Sequence, residues 1–229
     1  MTPASILRRC VAILAGAAAL AGPARADYST TFSVPPFRLN ASALGIEGWE
    51  SRIPGTPDDG LAARVVAIRW NGNNPALVLQ RAAIRNAFPK PEGNRVQVTV
   101  KIAVTFPRVG ANLQQARIAI LNAPFGEIVF DASKTGGLGF GDGTGRKGTI
   151  AVPIDEMKPN AFYTYSIVID YDLRTYDATI TGVKRDGTPL LYENKGVAFE
   201  PKQPALNSVL IITGSVIRTY LGEFSIKSL

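Results

Sequence analysis

Apolar and polar residues alternate with a period of two along much of this chain. In the clearest segment, Arg95–Thr105, every even-numbered position is apolar, and the positions between include Gln97, Thr99 and Lys101. Because neighbouring side chains of a β-strand point to opposite faces, this pattern predicts an antiparallel strand with one buried face. Similar or β-branched runs predict further strands at 63–70, 76–81, 117–121, 127–131, 162–171, 175–182, 206–213 and 220–226.

Turn-forming residues separate these runs. Asparagine, aspartate, glycine and proline cluster at 71–75, 122–126, 172–174 and 186–189, and no helical periodicity follows residue 26. Many short strands joined by such turns are typical of an all-β, antiparallel sandwich or barrel, and the absence of a linker predicts one domain over 27–229. The glycine-rich stretch 131–148 is predicted to be a long loop.

The first 26 residues have the order of a secretory signal peptide. Arg8 and Arg9 precede an apolar run at 10–20, and an Ala-x-Ala site ends at Ala26. Cleavage there predicts a secreted or periplasmic protein beginning at Asp27, with no transmembrane segment. Lipidation of Cys10 is the alternative, but the two arginines before it do not fit a lipoprotein signal.

Removal of the signal changes the charge and the cysteine count. The formal charge of +7 falls by three, to +4, because Arg8, Arg9 and Arg25 are lost. The remaining lysines and arginines are scattered, which argues against nucleic acid as a partner. Cys10 is the only cysteine, so the mature chain has no disulfide.

The chain contains no histidine. This absence excludes Ser-His-Asp and Cys-His catalysis and most transition-metal sites. Paired carboxylates for glycoside hydrolysis and oxygen ligands for calcium remain possible. Asp170 and Asp172 form the best pair, about 7 Å apart on one strand face, but a turn that begins at Asp172, with Asp170 solvated beside it, is the favoured interpretation. Other acidic pairs fit less well, because Asp58 and Asp59 read as a turn, and residues 127 and 131 would lie about 13 Å apart.

A nucleotide-binding motif is matched only in part. Residues 143–148 fit G-x-G-x-x-G, but the following residues 149–153 predict a strand. A dinucleotide site needs a helix N-terminus after the glycines to hold the pyrophosphate. A dinucleotide cofactor is therefore not expected.

Aromatic side chains offer apolar faces on which sugar rings stack. Trp70 is the first choice for a carbohydrate site, because it ends a predicted strand at a turn where Asn73 supplies an amide. Tyr163 and Tyr165 are further candidates, whereas Trp49 is expected in the core. Most aromatic residues of a sandwich are core residues, which is the competing interpretation for each of these.

Three segments resemble the concanavalin A-like, laminin-G-like jelly-roll domains of exported bacterial proteins: 37–49, which ends in Gly48-Trp49, the hairpin 165–182, and the closing strand 220–226. The resemblance implies a jelly-roll sandwich. The family includes lectins, adhesion modules, glycoside hydrolases and polysaccharide lyases. Neither the E-x-D-x-x-E spacing of laminarinase-type hydrolases nor the histidine of alginate lyases is present. Relatives often have Asp where Glu223 stands, near calcium, so the resemblance makes Glu223 a candidate calcium ligand.

These observations favour an exported, non-catalytic module that binds a polysaccharide or another glycan, or a surface partner. The alternatives are a polysaccharide-degrading enzyme of the same fold and a structural envelope protein with no small ligand. No cofactor is expected other than calcium, for which Asp170, Asp172 and Glu223 are the candidate ligands. Fold and function are separate questions, because one sandwich can carry any of these activities.

Overall fold

The computed structural model describes residues 27–52, 63–89, 91–105, 116–123, 126–133, 137–141, 150–153, 155–198, 207–213 and 218–229. Within these ranges the chain forms β-strands and one single-turn 3₁₀ helix, Arg69–Asn71, and no α-helix. The strands are β1 Tyr28–Thr30, β2 Glu50–Ser51, β3 Ala63–Ile68, β4 Asn74–Leu79, β5 Ala83–Ala87, β6 Arg95–Thr105, β7 Ala116–Ala123, β8 Gly126–Ser133, β9 Gly137–Gly141, β10 Ile150–Val152, β11 Tyr163–Asp170, β12 Thr175–Val183, β13 Pro189–Ala198, β14 Ser208–Thr213 and β15 Arg218–Ser228.

The strands form two antiparallel sheets. Sheet A has the order β13-β12-β11-β6-β15-β4-β3, with β1 paired to β15, and sheet B has the order β10-β9-β8-β7-β14-β5-β2. Strands distant in sequence are neighbours in both sheets, as where β15 at the end of the chain pairs with β6. The all-β antiparallel sandwich expected from the alternation is confirmed.

A single large core lies between the sheets. The even-numbered side chains Val96, Val98, Val100 and Ile102 of β6 are at most 1% exposed, as the alternation predicts. They belong to one cluster with Ile211 of sheet B and other residues of both sheets. Burial of this apolar surface is the main stabilising term of the fold.

The segment before β3 covers one part of this core with aromatic rings. Trp49 is fully buried, as expected, and its ring lies 5.8 Å from Phe32 and 6.4 Å from Phe224 of β15. The Asp27 carboxylate accepts a hydrogen bond of 2.8 Å from the backbone N–H of Ser228. The first described residues are thereby attached to the last strand.

The sequence did not predict five of the strands, β1, β2, β5, β9 and β13, and two of these show why. Residues 137–141, in the stretch predicted to be a loop, form β9 between β8 and β10. Glycine lowers strand propensity, so the sequence gives this strand little local support, and it forms through pairing with neighbours on both sides. The other is β13, in which most side chains are at least partly exposed because it is an edge strand of sheet A. Three features of the sequence lie outside the described residues: the predicted signal peptide 1–26, the pair Asp58 and Asp59, and the motif 143–148.

Candidate functional site

The outer face of sheet A, opposite the main core, carries a second apolar cluster. Its buried residues are Ile68, Ala76, Ala103 and Tyr220, and Trp70, Val78 and Phe162 are among the partly buried residues packed against them. Tyr220 follows Thr219 and precedes Leu221, and both neighbours are fully buried toward the main core. Alternation along β15 therefore directs Tyr220 outward.

Strand register aligns the residues of this cluster. Val78 of β4 pairs with Arg64 of β3 on one side and with Tyr220 of β15 on the other, and Tyr220 pairs in turn with Ala103 of β6. Directly paired residues share a face and have neighbouring side chains. The four therefore form one row across the outer face.

Aromatic rings build the wall of the site above this row. Trp70 lies on the 3₁₀ turn after β3, and its ring centroid is 5.5 Å from that of Tyr220, nearly perpendicular at 84°. The Phe162 ring lies 5.3 Å from Trp70 on the other side, and Lys101 Nζ is 5.6 Å from the centre of the Phe162 ring. These are favourable aromatic and cation–π distances. The wall is held by packing from three separate elements.

A glycine makes room for this wall. A Cβ atom added at Gly222 of β15 would lie 3.1 Å from Phe162 Cε1, closer than ordinary van der Waals contact. The register of β15 against β6 shifts between Leu221 and Glu223, which marks a β-bulge at this glycine. The missing side chain lets Phe162 approach the sheet and support Trp70.

Trp70 and Tyr220 line an open cavity of about 670 Å³ on this face. That volume lies within the range of small-molecule sites, roughly 300–1,000 Å³. We call it the outer-face groove. It is lined by Arg64, Val66, Ala67, Ile68, Arg69, Trp70, Val78, Gln80, Arg218 and Tyr220.

The outer-face groove is positively charged. Arg64, Arg69 and Arg218 line it, and no described lining residue is acidic. Within the described part of the chain, the side chains of Arg64 and Arg69 take part in no ion pair. An apolar floor with an aromatic wall and several guanidinium groups is suited to a ligand that has both apolar faces and negatively charged groups.

Two sequence candidates fall at different places relative to this groove. Trp70 lines it, but its ring is half-buried between Phe162 and Tyr220 instead of standing free at the end of a strand. Asn73 is exposed and is not a lining residue. Gly72 and Asn73 have φ values of 64° and 61°, and glycine and asparagine tolerate this left-handed conformation in the tight turn between β3 and β4. The turn geometry accounts for Asn73 without a ligand.

The structure corrects the assignment of Tyr163 and Tyr165 to a carbohydrate site. Each is only 1% exposed and belongs to the main core, so a sugar ring has no access to either. The Tyr163 hydroxyl donates to the Val183 carbonyl at 2.9 Å and accepts from the Lys158 N–H at 2.7 Å. Burial raises the pKa of Tyr163, and the hydrogen bond from Lys158 and the charge of Arg185 oppose this shift with smaller effects. Its polar group stabilises the fold.

Asp170 and Asp172 act in the turn between β11 and β12. One Asp170 carboxylate oxygen accepts backbone hydrogen bonds from Asp172 at 3.1 Å and from Leu173 at 2.9 Å. Asp172 accepts a hydrogen bond of 3.1 Å from the Asn94 side-chain amide. This is the turn interpretation that the sequence left open beside the acidic pair.

Glu223 does not join these carboxylates. It pairs with Lys101 on β6, whereas Asp170 pairs with Arg95, six positions along the same strand and therefore about 20 Å away. The neighbouring ammonium group of Lys101 also disfavours a cation beside Glu223. In the ranges that the structure describes, no three His, Cys, Asp or Glu side chains are grouped as metal ligands.

Sequence reasoning missed most of the residues that line the groove. Tyr220 was recognised only as the end of a strand, and the arginines as scattered charges. Phe162, which packs against Trp70 without lining the groove, was likewise recognised only as the end of a strand. One signal was present: Leu221 and Phe224 are both buried, and this spacing of three on a strand requires a bulge, which Gly222 marks. That bulge fixes the outward direction of Tyr220.

Comparison with known proteins shows the fold. No family model matches the chain, and no curated protein matches it in sequence. Among solved structures, the winged bean acidic lectin complexed with methyl-alpha-D-galactose has a TM-score of 0.51 and 11% identity, covering 87% of this chain and 97% of that one. Lectin I-B4 from Griffonia simplicifolia, in a metal-free form, has a TM-score of 0.50 and 8% identity, covering 89% of this chain and 99% of that one.

A GH131 beta-glucanase catalytic domain from Podospora anserina is also similar, with a TM-score of 0.48 and 14% identity, covering 83% of this chain and 90% of that one. The likeness to the two lectins shows that the sandwich is of the concanavalin A-like jelly-roll type, as the sequence resemblance implied. At these identities the likeness extends to the fold alone. Within the described residues, no helix is long and apolar enough to cross a membrane.

Proposed function

We propose that this protein is a non-catalytic glycan-binding protein and that the outer-face groove holds the carbohydrate. The observation that carries the proposal is the aromatic wall of Trp70, Phe162 and Tyr220 beside a cavity of about 670 Å³. Sugar rings have apolar C–H faces that pack on such rings. Gln80 and the three arginines supply hydrogen-bond donors for hydroxyl groups at the rim.

The groove favours binding over hydrolysis. Glycoside hydrolysis needs two carboxyl groups flanking the scissile bond, and the described lining of the groove has no aspartate or glutamate. The chain also has no histidine to replace them. The fold agrees with this proposal, since it is shared with lectins, one of which was solved with methyl-alpha-D-galactose.

The test is retention of the protein on immobilised neutral and acidic polysaccharides. Trp70→Leu keeps apolar volume against Phe162 and Tyr220 but removes the flat indole face, so we expect at least about tenfold weaker retention. Tyr171→Leu is the matched control, since Tyr171 is a partly buried aromatic residue packed on the main core. Thermal melting of both variants checks that they fold.

Two results would contradict the proposal. Failure of the wild-type protein to bind any polysaccharide of the panel would remove the function. Full retention of a folded Trp70→Leu variant would place glycan binding elsewhere. Release of new reducing ends from the same polysaccharides would show catalysis and would favour the enzyme hypothesis.

We also propose that the protein is exported and that residues 27–229 act as one domain outside the cytoplasm. The order of charged, apolar and Ala-x-Ala elements in residues 1–26 supports export. The intact mass of the protein recovered from the medium or the periplasm should correspond to a chain that starts at Asp27. A mass that includes residues 1–26 would contradict this proposal.

A further inference from the structure

We infer that the occupant of the outer-face groove is an acidic polysaccharide, whose carboxylate or sulfate groups pair with Arg64, Arg69 and Arg218. This inference rests on the proposed glycan binding and specifies its substrate class. Each of the three arginines comes from a different element: β3, the 3₁₀ turn and β15. The groove thus receives positive charge from three directions.

The arginines differ in how far they reach into solvent. Arg69 and Arg218 are exposed, and Arg64 is partly buried. Glu223 pairs with Lys101 and is not among the described lining residues of the groove. Guanidinium groups bind carboxylate and sulfate in a bidentate way, which is stronger than binding to a neutral hydroxyl.

The spacing of the arginines fits a polymer better than a single small anion. Arg64 of β3 lies in the row that contains Val78 of β4 and Tyr220 of β15. Arg218 precedes Tyr220 by two residues on β15, so continuing the β15–β4 register places it opposite Gln80. It therefore lies two strands away from Arg64 and two positions along the strand direction. A strand spacing of about 4.8 Å and a rise of about 3.4 Å per residue put the two backbones roughly 12 Å apart. Charges spread over that distance match a chain with repeated acidic groups.

The aromatic wall distinguishes a polysaccharide from other anions. Trp70 and Tyr220 line the groove together with the arginines, and the apolar face of a sugar ring would pack on these rings. A simple phosphate or sulfate ion would leave these rings without a contact. An acidic polysaccharide uses both the guanidinium groups and the rings.

The experiment compares polymers with the same backbone and different charge. The purified protein is titrated with polygalacturonate and its methyl ester, with dextran sulfate and dextran, and with single-stranded oligothymidylate. We expect each acidic polysaccharide that binds to do so at least about tenfold more tightly than its neutral counterpart, with affinity falling as salt is raised. Preference for polygalacturonate would identify carboxylate, and preference for dextran sulfate would identify sulfate.

Charge-matched variants locate the interaction. Arg64→Gln and Arg218→Gln should each weaken acidic binding about tenfold. Arg85→Gln removes the same charge from sheet B, where Arg85 forms an exposed ion pair with Glu50, and should leave affinity within about twofold. Equal losses in all three variants would show non-specific attraction and overturn the inference.

The remaining outcomes separate this inference from the proposed function. Equal binding of neutral and acidic polymers, still lost in Trp70→Leu, would overturn the acidic ligand and keep the glycan site. Binding of no polysaccharide would overturn both. Oligothymidylate binding as tight as that of the acidic polysaccharides, and lost in the same arginine variants, would overturn the polysaccharide in favour of nucleic acid.

Discussion

The two faces of sheet A use aromatic residues in opposite ways. On the inner face, Tyr163, Tyr165 and Tyr176 are each 1% exposed and fill the space between the sheets. On the outer face, Trp70 and Phe162 are only partly buried. Trp70 lines the groove instead of filling it, and Phe162 packs against Trp70. The same strand alternation produces both faces. The difference lies in what covers them.

The polar groups on the two faces of sheet A also differ in their surroundings. The hydroxyl of Tyr163, on the inner face, has backbone partners at 2.7 and 2.9 Å, because a buried polar group without a partner is costly. On the outer face, arginines project beside the rings and can meet a ligand. We therefore expect inner-face substitutions to act mainly on stability, and outer-face substitutions to act mainly on binding.

The largest expected effect is that of Val100→Asp. Val100 is fully buried in the middle of β6, between Tyr165 on β11 and Phe224 on β15. An unpaired carboxylate at this position should cost several kcal/mol against a total stability of about 5–15 kcal/mol, so the domain should unfold. Circular dichroism and thermal melting measure the result.

Thr99→Asp is the control for the outer face. Thr99 is partly buried and pairs with Ser166 and Ser225, which are polar. A new carboxylate there can stay hydrated, so we expect a small decrease in melting temperature. Equal destabilisation by the two substitutions would show that β6 is buried alike on both faces and would invalidate the comparison.

Local sequence pattern predicted the inner face well. The predicted bounds of β6 agree with the observed Arg95–Thr105, and most of the other predicted runs lie within a few residues of observed strands. Strong alternation is a local property, so it needs no knowledge of strand order. The edge strand β13 and the glycine strand β9 were missed because their pairing is supplied by neighbouring strands and not by their own residues.

The outer-face groove could not be predicted from the local sequence pattern for the same reason. Arg64, Val78 and Tyr220 are far apart in the sequence and become neighbours only through the pairing order β3-β4-β15. Trp70, chosen as an aromatic residue at a turn, lines the groove, whereas Tyr163 and Tyr165 point into the main core. Both belong to the inward-facing set of β11, which alternates with partly buried residues throughout its length.

Two glycines extend the comparison to smaller effects. Gly182 of β12 lies under the inner-face ring of Tyr163, and a Cβ there would overlap the ring, with Tyr163 Cε1 only 2.8 Å away. Because Tyr163 is enclosed by the core, it has little room to move. We expect Gly182→Ala to lower the free energy of unfolding by about 1–3 kcal/mol, as overpacking of a core does.

Gly222→Ala should produce the smallest change in stability and a measurable change in binding. Its new Cβ would lie 3.1 Å from Phe162 Cε1, and the partly buried Phe162 can move by the few tenths of an ångström required. We expect a stability change within about 0.5 kcal/mol. A displaced Phe162 would shift Trp70, so glycan affinity should fall roughly threefold, equivalent to about 0.6 kcal/mol.

Thermal melting and polysaccharide titration of both glycine variants measure the two effects. A Gly222→Ala variant as unstable as Gly182→Ala would mean that the outer-face rings are packed as rigidly as the core.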